Sequence, residues 1–252
     1  MGLRRLAVGE WLELRHPERL AHQAEKARLM EADPGELFVV AEGLEETGYE
    51  LQTEIASEHQ HQQLSPPSFD PSLHPLDAAG RTVKEDLCLR TMKGDTLVLS
   101  GGSVCFPTRW TLREKVGNPL DLVHEPVPGY SSDLADRVRR FVDRLGPGPG
   151  VWRSNWSLMP TAELCLPGRH DHLPTRNEPE DLWFRTERQT LRRLPVSRAV
   201  VFTIGIDVMP LAEVKRNPEQ AEAFALELAQ LSPEFRSYKG LTEQSTDIIN
   251  FL

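Results

Sequence analysis

The run Val200-Val201-Phe202-Thr203-Ile204-Gly205-Ile206 constrains the fold more than any other stretch. It is β-branched and aromatic, carries no charge on either face, and fits the middle of a sheet. Such a strand needs partners on both sides. Asp86–Met92, Thr96–Ser100 and Ser103–Phe106 are short β-type runs separated by Lys93-Gly94-Asp95 and by Gly101-Gly102. Both separators read as hairpin turns, so an antiparallel sheet is expected. Gly150–Leu158 alternates as a further strand, with Trp152, Ser154 and Trp156 on one face and Val151, Arg153 and Asn155 on the other. An arginine and an asparagine that share a face lie either both in solvent or both at a polar site.

Helical patterns flank these strands. Residues 11–32 read as an amphipathic helix (Trp11, Leu12, Leu14, Leu20, Ala24, Leu29) ended by Pro34-Gly35, and residues 36–64 as more helix, interrupted at Gly48. Pro66, Pro67, Pro71, Pro75 and Gly80 mark residues 65–80 as a loop. Residues 131–145 predict a helix with Ser132 or Asp133 as N-cap, a stripe of Leu134, Val138, Phe141 and Val142, and a stop at Gly146-Pro147. Residues 159–181 read as loop and 211–231 as a last long helix. The expected architecture is α+β: a helical layer over 1–64, an antiparallel sheet of about five strands over 81–210, and a helical segment over 211–252.

Composition narrows the function. With 39% hydrophobic and 27% charged residues, the 252-residue chain has the makings of a globular core. A formal net charge of −9 offers no field for nucleic acid or an anionic membrane. Cys88, Cys105 and Cys165 stand far apart without a CxxC spacing, which argues against a disulfide framework, a zinc site or a cysteine-held cluster. No apolar run approaches the ~20 residues of a membrane span, and Glu10, Glu13 and Arg15 break any signal-peptide core. A cytoplasmic location is expected. GxSxG, P-loop, GxGxxG and HExxH motifs are all missing, which removes the commonest hydrolases and nucleotide enzymes.

Three groups remain as candidates for chemistry. His124 lies between an apolar run (Leu120, Leu122, Val123) and the stiff segment Glu125-Pro126-Val127-Pro128-Gly129, which limits where its ring points. That suits a metal or cofactor ligand, and equally a well-made turn. Arg153 offers a fixed cation and Glu187, between Arg185 and Arg188, a carboxylate; a structural salt bridge explains such residues as readily. His59 and His61 point apart on a helix and read as a solvated helix end, while His170-Asp171-His172 lacks a third ligand.

The succession CFPTRW, EKVGNPLDLVHEPVP, VWRSNW, ERQTLRRLP, VVFTIGI and YKGL, with GLRRL and WLEL near the start, resembles the haem-dependent oxidative N-demethylase-like family, which includes the large subunit of dimethylamine monooxygenase. The resemblance implies a PAS-like fold that holds haem b and uses dioxygen to oxidise a small secondary amine to a primary amine and formaldehyde. Electrons would come from NADPH through a separate flavin and iron–sulfur reductase. It implies His124 as the proximal iron ligand, Arg153 and Glu187 as distal catalytic residues, and Trp156 and Arg188 beside the cofactor. The other readings are a haem-binding PAS-like sensor or accessory subunit without turnover, and a haem-free interaction protein.

Overall fold

The computed structural model describes residues 2–124, 127–130, 132–168 and 177–252, residues 132–134 by backbone alone. A two-residue strand β1 (Arg4–Arg5) precedes helix α1 (Arg19–Ala32), the short α2 (Pro34–Leu37), β2 (Phe38–Val40), α3 (Glu45–His61) and α4 (Pro75–Arg81). The hairpin β3 (Asp86–Lys93) and β4 (Thr96–Ser103) leads to two single turns, α5 (Leu112–Lys115) and α6 (Leu120–Val123), and then α7 (Ser132–Arg144). After β5 (Val151–Met159) comes the hairpin β6 (Trp183–Arg193) and β7 (Val200–Pro210), followed by α8 (Leu211–Lys215), α9 (Pro218–Gln230), α10 (Pro233–Tyr238) and α11 (Ser245–Phe251). Among the described residues no helix is long and apolar enough to cross a membrane.

The fold is α+β, as its patterning predicts, with β7 deep in the sheet between β6 and β3. The described residues form one antiparallel sheet of seven strands in the order β1-β5-β6-β7-β3-β4-β2. The expected five becomes seven because one strand is lost and three are added. Ser103–Phe106 is not a strand of its own, Ser103 being the end of β4. The additions are the short edge strands β1 and β2, too brief for local patterning to register, and β6, whose arginines mask its alternation.

Several local expectations are corrected. Gly101-Gly102 is not a turn: both residues lie inside β4, which runs on to Ser103. A Cβ on Gly101 would stand 3.1 Å from the Val39 carbonyl oxygen, and one on Gly102 would stand 2.9 Å from that of Leu87. These glycines serve close strand approach rather than chain reversal. Residues 36–64 hold a strand as well as a helix, since Val39 pairs with Gly102. Within the proline-rich stretch, Pro75 starts α4 at a position where its missing N–H costs nothing, and His74 Nδ1 accepts the Leu76 N–H at 3.2 Å. Trp11, Leu12 and Leu14 lie ahead of α1 in irregular backbone yet are almost fully buried. The 211–231 pattern is broken at Asn217-Pro218 into α8 and α9.

Strand alternation gives the sheet two unlike faces. One carries Leu87, Leu89 and Val201 against Trp11, Leu51, Ile55 and Leu76, so the N-terminal segment, α3 and α4 cover it. The other carries Cys88, Phe202 and Ile204 and is covered by the chain from Val104 to Val123. A third cluster fixes the C-terminal helices against Trp156 and Leu158 of β5.

The exit from β4 onto the second face is held by buried charge. The Asp86 carboxylate accepts the N–H groups of Cys105 and Phe106 at 2.9 and 2.8 Å. Arg185 donates to the carbonyls of Phe106 and Leu164 at 2.8 and 3.0 Å. Lys26 of α1 lies 3.6 Å from Asp86, both side chains being at most 1% exposed. Removing one member of a buried pair strands the other. Lys26→Met is therefore expected to cost about 3 kcal/mol and to lower Tm by about 10 °C, measured by calorimetry. An unchanged Tm would mean that Asp86 needs no cation.

Candidate functional site

His124 caps the C-terminus of α6, and the last turn of that helix orients its ring. Its backbone N–H and its Nδ1 both donate to the Leu120 carbonyl, at 3.2 and 2.9 Å. A carbonyl only accepts, so the proton sits on Nδ1 and the Nε2 lone pair is free. No described residue hydrogen-bonds Nε2. The Tyr130 ring stacks on the imidazole at 5.0 Å and 16°, brought back by a turn in which Val127 N–H donates to His124 O at 2.9 Å. Helix end and tyrosine thus hold the ring among the described residues; Glu125 and Pro126, expected to aim it, lie outside them.

Burial pushes the His124 pKa down to about 4, and the Arg90 charge, then those of Arg153 and Lys115, push the same way against the Leu120 carbonyl. The half-buried ring is neutral at physiological pH. Because the folded value lies below the ordinary 6.5, the stability linked to it is present above pH 6.5 and lost as pH falls toward 4. NMR on the haem-free protein is expected to find the His124 ring titrating near 4; a His124 midpoint at 6.5 would refute the desolvated site.

A polar network crosses β5 and β6 on the same side of the sheet. Arg153 lies opposite Gln189, and Asn155 opposite Glu187. Arg153 Nε donates to Gln189 Oε1 at 2.7 Å, and Gln189 Nε2 donates to Glu187 Oε2 at 2.7 Å. Asn155 Nδ2 reaches that same oxygen at 3.2 Å, while Oε1 has a 3.5 Å contact from the Thr108 hydroxyl. Arg153 and Asn155 thus share one hydrogen-bonded network on this face, although Arg153 itself is exposed. Gln189 is buried, Glu187 half-buried and Arg153 exposed, so the network runs from the sheet out to the surface.

Two further segments reach this network. Arg109 has φ 60°, its N–H held by Leu166 O at 2.7 Å, and its guanidinium lies 5.8 Å from the centre of the Tyr238 ring. Lys239 donates to the Trp156 carbonyl at 2.6 Å and lies 4.2 Å from that indole's centre. Burial lowers the Lys239 pKa to about 8, with Glu187 the strongest opposing charge. YKGL thus brings an amine and a phenol toward Glu187, a role that its sequence alone did not disclose.

Trp156 and Arg188 project from the opposite side of β5 and β6, because each stands one residue along from a network member. Trp156 Nε1 donates to Glu227 at 2.7 Å among Phe184 and Phe224. Arg188 donates to the carbonyls of Trp11 (3.0 Å) and Glu10. His59 is buried rather than solvated, since the segment around Leu12 covers the end of α3. The 170–172 histidines lie outside the described residues. A second group, Glu18, His22 and Asp207, has metal-like spacing, but Asp207 already holds Lys84 at 2.8 Å and both His22 nitrogens face carbonyls at 3.0 Å. That group is a structural ion cluster.

The sequence pattern of the family described as haem-dependent oxidative N-demethylase, alpha subunit-like, matches residues 35–249. The chain belongs to this family. Membership in the haem-dependent oxidative N-demethylase alpha subunit-like family implies haem, and the residues present fit it. A neutral imidazole with Nδ1 tied to a carbonyl and Nε2 free is the donor that haem iron takes on its proximal side. Its chain neighbour Val123 packs, with Trp110 and Phe202, against the apolar cluster of Cys88, Leu99, Val104 and Leu112. Burial pushes the Cys88 and Cys105 thiols up to about 12, which disfavours thiolate ligation.

Proposed function

We propose that the protein binds haem b through His124 Nε2 and oxidatively removes a methyl group, as formaldehyde, from a small secondary amine such as dimethylamine. The observation that carries this reading is the placing of the free Nε2 and the Arg153–Gln189–Glu187–Asn155 network on one side of the sheet. Bound haem would supply dioxygen activation. In the reaction, one oxygen atom leaves in formaldehyde and the other in water, two electrons and two protons being taken up.

Glu187 binds the substrate ammonium. Gln189 and Asn155 hold its Oε2, so Oε1, with only the long Thr108 contact, is open to an N–H donor. The carboxylate then takes a proton, because the neutral amine is the oxidisable form. Arg153, positioned by Gln189, presents cationic N–H groups where oxygen gains negative charge. Electrons come from a separate NADPH-dependent flavin and iron–sulfur reductase, in keeping with a subunit-type family and with a total of three cysteines, fewer than the four that hold a cluster. The PAS-like character of the sheet and a single-domain organisation over 1–252 belong to the same proposal.

Purified protein loaded with haem, given a chemical reductant, oxygen and dimethylamine, is expected to release formaldehyde. A haem-loaded protein that reduces and binds oxygen but forms no formaldehyde from any secondary amine would favour the sensor reading.

A further inference from the structure

Among the deeply buried cations of the described chain, Arg90 alone has no acceptor. Lys84 holds Asp207 and Glu13 at 2.8 and 3.0 Å, and Lys26 holds Asp86 and two carbonyls. Arg185 and Arg193 each donate to main-chain carbonyls. Arg90 is 6% exposed, its Nε is sealed without a partner, and no N–H of its guanidinium donates to a described residue. Its contact is the Phe202 ring, 5.3 Å from Cζ. A guanidinium does not shed its charge in a protein, so a buried one without an anion is costly.

The neighbourhood defines the kind of anion that suits Arg90. Arg90 lies opposite Val200 in the β3–β7 ladder and Leu99 in the β3–β4 ladder, and Phe202, which its guanidinium faces, belongs with Leu99 and Val123 to one apolar cluster on this side of the sheet. Its charge acts on His124 and Tyr130. A ligand here must offer apolar surface to Phe202 and a carboxylate to Arg90 while it meets His124. Haem, a flat apolar ring with two carboxylates on one edge, has that combination.

We infer that Arg90 anchors a propionate carboxylate of the porphyrin, fixing the rotational setting of the ring on His124. This rests on haem binding at His124. A charge-assisted, bidentate pair from a partly desolvated arginine distinguishes a porphyrin acid from its ester.

The test compares haem with haem dimethyl ester, titrated by absorbance into haem-free wild type, Arg90→Leu and Arg90→Lys, with circular dichroism reporting the fold. The wild type is expected to prefer haem to the ester by about 10–100-fold. Arg90→Leu should lose that preference by weakening haem alone, and Arg90→Lys should keep part of it. Equal wild-type affinity for acid and ester overturns the inference without any variant, as does an Arg90→Leu protein that keeps the preference. A wild type that binds neither porphyrin overturns this inference and the haem reading together, whereas ester binding equal to haem binding leaves the haem reading intact.

Discussion

Replacing His124 by alanine is expected to abolish the Soret shift predicted for the wild-type protein on titration with haem. Losing an outer partner of a metal ligand costs about 10–100-fold in metal affinity, so losing the ligand itself should exceed that range. The substitution is mild for the fold, because the ring is half-buried at the end of a single helical turn and its one described hydrogen bond goes to that turn's own carbonyl. Loss of haem is therefore attributable to the imidazole rather than to unfolding. Free imidazole, admitted into the space left by the ring, is expected to restore the band. A His124→Ala protein with a wild-type Soret band would place the ligand elsewhere.

Glu187→Gln is expected to leave haem binding unchanged and to lower formaldehyde release by about 10²–10³-fold. The amide keeps the shape of the carboxylate, and its oxygen can still accept from Gln189 and Asn155. What it loses is the negative charge that holds an ammonium and the basicity that removes its proton. KM for the amine should rise together with a fall in kcat, since binding and deprotonation use the same group. A fall in kcat with no change in KM would assign the carboxylate to proton handling alone, and full activity would remove it from the site.

How much of this was legible in the sequence depended on how local the signal is. The strands around Leu87 and Phe202 and the helix ending at Arg144 stood out because apolar alternation and caps are local. Gly101-Gly102 misled because glycine marks either a turn or a close approach, and only the partner strand decides which. The 75–81 helix hid behind prolines, one of which starts it. For the site, alternation alone placed Arg153 with Asn155, and the same rule applied to ERQTL would have paired Glu187 with Gln189 and set Arg188 aside. Arg90 could be noticed as a charge in an apolar strand, but its lack of an acceptor is a tertiary fact spread over β3, β7 and the 104–124 segment. Lys239 is similar: its burial against Trp156 depends on helices far along the chain.

The central claim, that His124 Nε2 is the iron donor, is tested most directly by resonance Raman spectroscopy of the reduced, haem-loaded protein. An iron–histidine stretching band that shifts on ¹⁵N-histidine labelling and vanishes in His124→Ala is the predicted result. A band that survives His124→Ala, or a reduced wild-type protein with no such band, would contradict it.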